Sequence, residues 1–143
     1  MEHLVSMLRA AGDSTRLRLL LLLLEAELTV SELTEILGQS QPRVSRHLKL
    51  LSDAGLINRF QEGTWVFYRL ADSGAGAELA RSIVARISDE DESLMRDFQR
   101  LDTVRARLDH ELLLAFLLDT PLPAIDRRHR RQHVHAEMRW DGW

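Results

Sequence analysis

The stretch QPRVSRHLK, residues 41–49, concentrates Gln41, Arg43, Ser45, Arg46, His47 and Lys49, the chain's only lysine. A guanidinium can hold guanine O6 and N7 with two hydrogen bonds, and a glutamine amide can pair with adenine in the same way. An ammonium suits phosphate, which positions a protein on a duplex without specifying sequence. Arg43, Arg46 and Lys49, three residues apart, fall on one side of a helix, with Ser45 and His47 flanking them. The chemistry such a set can do is recognition of a polyanion. The net charge of −3 points the other way. Yet residues 40–59 carry Arg43, Arg46, Lys49 and Arg59 against Asp53 alone. Screening confines charge effects to about 8–10 Å, so the local balance governs.

This stretch has to be held by other elements, and their patterning is legible. HLVSMLRAAG predicts a first helix with Leu4, Val5 and Leu8 inward, ending near Gly12. DSTRLRLLLLLLEAE begins after a capping Asp13 or Ser14 and is apolar over most of its surface, so it should lie centrally. Its leucines, 19–24, are too few for a membrane span or a signal-peptide core and read as a buried helix. TVSELTEILG predicts a third helix, with Thr29 and Glu32 at capping-box spacing, Leu33, Ile36 and Leu37 inward, and Gly38 as the stop.

The basic stretch then forms a fourth helix. Ser40 or Gln41 can cap it, and Pro42 fits its first turn because a missing N–H there is harmless. Val44, Leu48 and Leu51 make its apolar side. Two helices joined by GQSQ form a helix-turn-helix signature. LINRFQEGTWVFYRLA follows as two β-rich runs separated by Glu62-Gly63, a hairpin. From about Ala75 the pattern is helical again, with Leu79, Ile83 and Ile87 as a stripe. After the acidic cluster SDEDES, Leu94, Phe98, Leu101, Val104, Leu108 and Leu112 form a long stripe that predicts an amphipathic helix seeking a partner. LLLAFLL is apolar all round, and Pro121 and Pro123 should end the helix.

The fold class expected is mainly α (α+β): a winged helix-turn-helix with a two-stranded wing and long C-terminal dimerisation helices. Residues 1–72 would be the DNA-binding domain, 73–120 a helical dimerisation and connector region, and 121–143 a flexible Arg/His-rich tail. These regions carry net charges of −1, −5 (over 73–126) and +3 (over 127–143). At 143 residues, 45% of them hydrophobic, the chain is long enough for one domain with a real core. The absence of cysteine excludes disulfides and thiolate metal sites and is compatible with a reducing cytoplasm.

Residues 4–71 resemble the ArsR (ArsR/SmtB) family of winged-helix bacterial repressors. The resemblance is carried by GDSTRLRLLLLL, ELTVSELTEILGQSQPRVSRHLKLLSDAGLI and the wing EGTWVFYRL. It implies a homodimer built on the first and fifth helices, and an inverted-repeat operator on double-stranded DNA that is released by an effector. The recognition helix would be Gln41–Ala54, with Ser45, Arg46 and His47 reading bases and Gln41, Pro42 and Arg43 entering the groove. Lys49 and the wing residues Arg59 and Arg69 would meet phosphates. The dimerisation residues expected are Leu4, Leu8, Leu79, Ile83, Leu94, Phe98, Leu101 and Leu108.

The chain departs from the family's metal sensors. Those carry Cys-Val-Cys at the start of the third helix, where Thr29 and Ser31 stand here; hydroxyls are poor ligands for soft metals. The interfacial zinc site of other members needs Asp/His pairs that AELARSIVARIS lacks. No cofactor is expected, and the effector would not be sensed through a thiol. His129, His133 and His135 with Glu137 are metal-ligand types, but a solvated tail is the simpler reading, and the tail arginines could instead touch DNA nonspecifically.

SLMRDFQRLDTVRARLDHE resembles the connector of family members fused to an S-adenosylmethionine-dependent methyltransferase domain, and the chain stops where that domain would begin. A shortened relative, a truncated product and an altered reading frame all fit this resemblance, which also suggests an S-adenosyl compound as effector. VFYRLADSGAGAELA imitates a glycine-rich nucleotide loop through Asp72, Gly74 and Gly76. The βαβ unit such a loop needs does not follow it, so the glycines are read as a wing-to-helix junction and the protein as no enzyme. The rival reading is a protein-interaction scaffold of the same fold that has lost DNA.

Overall fold

The computed structural model describes residues 1–119, which form six helices and one hairpin: α1 (Glu2–Ala11), α2 (Ser14–Glu25), α3 (Val30–Leu37), α4 (Gln41–Asp53), β1 (Ile57–Glu62), β2 (Trp65–Leu70), α5 (Gly74–Val84) and α6 (Glu92–Leu117). The tail histidines His129, His133 and His135, with Pro121 and Pro123, lie outside the described residues.

The apolar run of α2 makes it the central rod. Leu19, Leu20, Leu22 and Leu23 are buried within the chain, and burying a leucine side chain stabilises by about 1.5–3 kcal/mol. Asp13 caps the helix by accepting from the Arg16 N–H at 3.0 Å. In α3 the expected capping box is present. The Glu32 N–H donates to the Thr29 hydroxyl, and the Thr29 N–H donates to the Glu32 carboxylate. Gly38 ends α3 at φ 65°, left-handed backbone that disfavours a side chain. Val44, Leu48 and Leu51 are buried and hold α4 against the core.

The hairpin pairs antiparallel from Ile57↔Leu70 to Glu62↔Trp65. The expected break at Glu62-Gly63 moves one residue on: Glu62 still pairs, and the loop is Gly63-Thr64. Gly63 has φ 60° and Thr64 is not left-handed, matching the glycine-first two-residue loop that follows strand twist. An isolated bridge adds a third backbone partner. Leu28 N–H donates to Tyr68 O at 3.1 Å, and Tyr68 N–H donates to Leu28 O at 2.9 Å.

Three apolar stripes are used differently from the expectation. In α1, Leu4, Val5 and Leu8 face outward, at 48%, 39% and 49% exposure, while Met7 and Ala11 take the inner side. In α5 the core side is Gly76, Ala77, Ala80 and Val84, and Leu79 and Ile83 sit half-buried at its margin; Ile87 lies beyond the helix. The cause is close packing, since a Cβ on Gly76 would come within 2.0 Å of the Gly55 carbonyl oxygen. In α6, Leu94, Leu101 and Leu108 are buried within the chain itself and Phe98 is half-buried against the same core. These expected dimerisation residues thus already serve the core of their own chain. The face of α6 that stays open is its far end, Leu113, Leu114, Phe116 and Leu117.

Polar contacts fasten α6 as well. Asp97, fully buried, accepts from Arg18 Nε at 2.7 Å and Nη2 at 2.8 Å. Arg100 donates to the Ile36 carbonyl at 2.8 Å and Arg105 to the Glu25 carbonyl at 2.7 Å, serving carbonyls that the ends of α3 and α2 leave open. Arg107 grips Glu35 with both Nη atoms and holds that carboxyl below the ordinary glutamate range.

Candidate nucleic-acid interface

The helix-turn-helix is positioned from two sides. Gln39, in the turn between α3 and α4, donates from Nε2 to the Thr15 hydroxyl at 3.1 Å, tying the turn to the start of α2. Arg16, also on α2, donates from Nε to the Ala10 carbonyl and from Nη1 to His47 Nδ1 at 3.1 Å. These contacts fix where α4 lies relative to α1 and α2. Neither Gln39 nor Arg16 was singled out from the sequence, because each acts on a residue brought near by folding.

On the outer side of α4, Gln41, Pro42, Arg43, Arg46 and Lys49 are exposed, and Ser45 and His47 are half-buried. The buried face of Val44, Leu48 and Leu51 points the other way. Among the described residues no hydrogen bond or ion pair engages the guanidinium of Arg43 or Arg46. Lys49 pairs with Asp53 one turn on, at 2.9 Å, where both side chains are largely in water. Such a pair is weak and exchangeable. Ser40 precedes α4 without a side-chain cap, and Pro42 occupies the first turn. The structure thus keeps Arg43, Arg46 and Lys49 on one accessible face, with Gln41 exposed at the start of the helix.

His47 is more constrained. Arginine can only donate, so His47 Nδ1 accepts and the proton of the neutral ring sits on Nε2. Partial burial, with the charges of Arg16, Arg43 and Arg46, pushes the imidazole below its usual pKa, and Asp13 opposes them. The ring is held by its own chain.

The wing divides its two arginines. Arg59 pairs with Tyr68, and Arg69 with Asn58, so the two lie on opposite faces of the ribbon. Arg59 is exposed. Arg69 is engaged: its Nη1 is 3.6 Å from the buried Glu27 carboxylate, its Nη2 3.3 Å from Asp72, and its guanidinium lies 4.6 Å from the Phe60 ring centre. The Arg69 side chain is thus tied to the chain's own acids, and the expected phosphate contact would have to compete with them. Alternation along β2 could place it on a face but could not reveal Glu27, which lies before α3.

A groove of about 930 Å³ runs between α1 and the C-terminal end of α4, with Val5 and Leu50 as apolar lining and Arg9 and Asp53 among its polar groups. Gly74, at φ 83°, and Gly76 serve the wing-to-α5 junction, the second by close approach to Gly55. No group of three potential metal ligands occurs among the described residues. No described helix is long and apolar enough to cross a membrane.

Helix pair, buried central rod and trailing two-stranded hairpin define a winged helix-turn-helix. The model of the bacterial regulatory protein arsR family matches residues 13–59. Over 68 residues the chain is 46% identical to the arsenical resistance operon repressor of Escherichia coli K12, covering 47% of this chain and 58% of the relative. It is 39% identical over 72 residues to an HTH-type transcriptional regulator of Methanocaldococcus jannaschii, covering 50% of this chain and 81% of the relative. Among solved structures, HlyU from Vibrio cholerae aligns with 35% identity and a TM-score of 0.50, covering 57% of this chain and 85% of that one. The transcriptional repressor BigR from Xylella fastidiosa aligns with 27% identity and a TM-score of 0.53, covering 59% and 82%. The chain belongs to the ArsR family. It spans about half the length of curated relatives such as the E. coli repressor and an arsenic resistance regulator of Pseudomonas putida, at 58% and 49%.

Proposed function

We propose that this protein is a homodimeric transcriptional repressor that lays α4 of each protomer into the major groove of an inverted-repeat operator. The half-sites would lie about one helical turn apart. The observation that carries this reading is that Arg43 and Arg46, exposed and unpaired among the described residues, stand above a fully buried apolar face. A basic face held rigidly from behind is pre-organised for base edges. Gln41, Pro42 and Ser45 complete the groove-entering end, and Lys49 and Arg59 meet phosphates. His47 lies beside the base-reading positions but is already bonded to Arg16.

Dimerisation is supported by the exposed apolar side of α1, Leu4, Val5 and Leu8, with Leu79 and Ile83 of α5 half-buried. The sensing step does not use the family's thiolates, since Thr29 is occupied in its capping box and cysteine is absent. Titration with S-adenosylmethionine and S-adenosylhomocysteine by calorimetry tests the adenosyl effector implied by the connector.

The deciding experiment measures anisotropy of duplexes from the region upstream of the gene, against scrambled duplexes of equal length, across a salt series. Specific binding with steep salt dependence is expected. Equal affinity for specific and scrambled duplexes would reject the reading. The exposed end of α6, Leu113, Leu114, Phe116 and Leu117, favours one rival, a protein-interaction scaffold. That rival predicts no retention of any duplex from a random library.

A further inference from the structure

We propose that Arg69 is a positioning residue that sets the pitch of the wing against the α2–α3 segment, through Glu27 and Asp72, and does not itself hold a phosphate. This rests on the reading that the wing meets DNA.

Four observations converge on the guanidinium. The Glu27 side chain is 4% exposed, and Arg69 Nη1 lies 3.6 Å from it. Drawing Arg69 away to a phosphate would remove a cation from beside a desolvated carboxylate, an unfavourable exchange. On the other side, Asp72 lies 3.3 Å from Arg69 Nη2 and accepts from Asn58 Nδ2 at 3.1 Å, which links β2 back to β1. The guanidinium face covers Phe60, whose ring stacks on Phe67 with centres 5.6 Å apart. Finally, Glu27 and Arg69 each adjoin one member of the Leu28–Tyr68 bridge, so their ion pair is a side-chain rung beside a backbone rung.

Position along the hairpin gives these contacts their consequence. Gln61, Gly63, Thr64 and Trp65, at the tip, are exposed. The direction of the tip is therefore set at the base, where the bridge, the ion pairs and the aromatic stack meet. Arg59, on the opposite face, would be carried to its phosphate by this base.

The two roles predict opposite signs. If Arg69 bound phosphate, Glu27→Gln would free it, remove a negative charge and tighten binding. If Arg69 positions the wing, Glu27→Gln weakens binding roughly fivefold, and the exposed Asp72→Asn, which spares the buried site, weakens it less. Arg69→Lys keeps the charge but cannot bridge two acids across an aromatic face, so it should weaken binding like Arg69→Gln. The probe is a duplex selected from a random library by the full chain, titrated over a salt series. Arg59→Gln should lower the salt slope by about one, whereas Arg69→Gln should leave it unchanged.

A DNA-free arm separates this inference from the function it rests on. Amide exchange across 57–70 should quicken in Glu27→Gln, Asp72→Asn and Arg69→Lys, with α4 amides unaltered. Tighter binding by Glu27→Gln, a slope reduced by one in Arg69→Gln, or unchanged wing exchange in all three variants would overturn it. If the wild-type chain retains no duplex, the DNA reading falls, and wing exchange alone decides whether Arg69 anchors the hairpin.

Discussion

Helices α4 and α6 both carry arginines at helical spacing, and they use them in opposite ways. Arg100 and Arg105 of α6 bind backbone carbonyls of α3 and α2, and Arg107 clasps Glu35. Arg43 and Arg46 of α4 have no such partners among the described residues and are exposed. Each helix buries an apolar side against the same core, so amphipathicity does not tell them apart. What separates them is whether the folded chain supplies an acceptor. An arginine facing an open carbonyl or carboxylate of its own chain is part of the scaffold; one facing water above a rigid base is available to a partner. The wing repeats the contrast within one hairpin, where Arg69 is bound to Glu27 and Asp72 and Arg59 is exposed.

The largest effect should come from the scaffold side. Arg18→Met leaves Asp97 fully buried without its bidentate donor. Breaking a buried pair in this way costs about 3–5 kcal/mol. Asp97→Leu should cost less, because the Arg18 side chain, 19% exposed, can turn to water. Urea unfolding of both variants checks the order; equal or reversed losses would mean that burial of Asp97 is not what makes α6 structural.

The comparison predicts a different signature for α4. Arg46→Ala should leave unfolding within about 0.5 kcal/mol of wild type, as for a surface change. It should weaken operator binding by roughly 1–3 kcal/mol and relax preference at one base pair. Marked destabilisation would place Arg46 with the α6 arginines. Smaller still, Lys49→Ala would remove the phosphate contact proposed for Lys49 together with its exposed pair with Asp53. The expected result is a salt slope lower by about one and a stability change of about 0.3–0.5 kcal/mol.

The contrast also marks what could be read in advance. The order of α2 to α4 and the hairpin followed from local rules: the Asp13 cap, the Thr29–Glu32 box, the Gly38 stop and the β-rich runs. The outward face of α4 followed from the spacing of Val44, Leu48 and Leu51. Periodicity finds an apolar stripe but does not say whether the covering surface belongs to the same chain. Hence Leu94, Leu101 and Leu108 turned out to be covered internally, while Leu4 and Leu8, expected inward, are open. The roles of Asp97, Arg100, Arg105 and Glu27 leave no local trace, because their partners lie in distant segments. The same holds for Gly76, which mimicked a nucleotide loop and instead lets α5 approach Gly55.

His47 lies between the two classes, and pH can resolve which it belongs to. It sits on α4 beside the free arginines, yet it accepts from Arg16 as a scaffold residue would. Its folded pKa is depressed, chiefly by burial and then by the Arg16, Arg43 and Arg46 charges, with Asp13 opposing. Below about pH 6.5, the ordinary histidine value, the unfolded chain takes up a proton that the folded ring resists. The stabilising contribution is therefore complete above that value and is lost as pH falls through the lower folded pKa. Protonation also removes the only lone pair that Arg16 can use. Urea midpoints between pH 7.5 and about 5 should fall more steeply for wild type than for His47→Gln, whose amide oxygen can accept at any pH. Parallel pH profiles would show that the ring bears no part of the scaffold, leaving it with Arg43 and Arg46 as a side chain held ready for a partner.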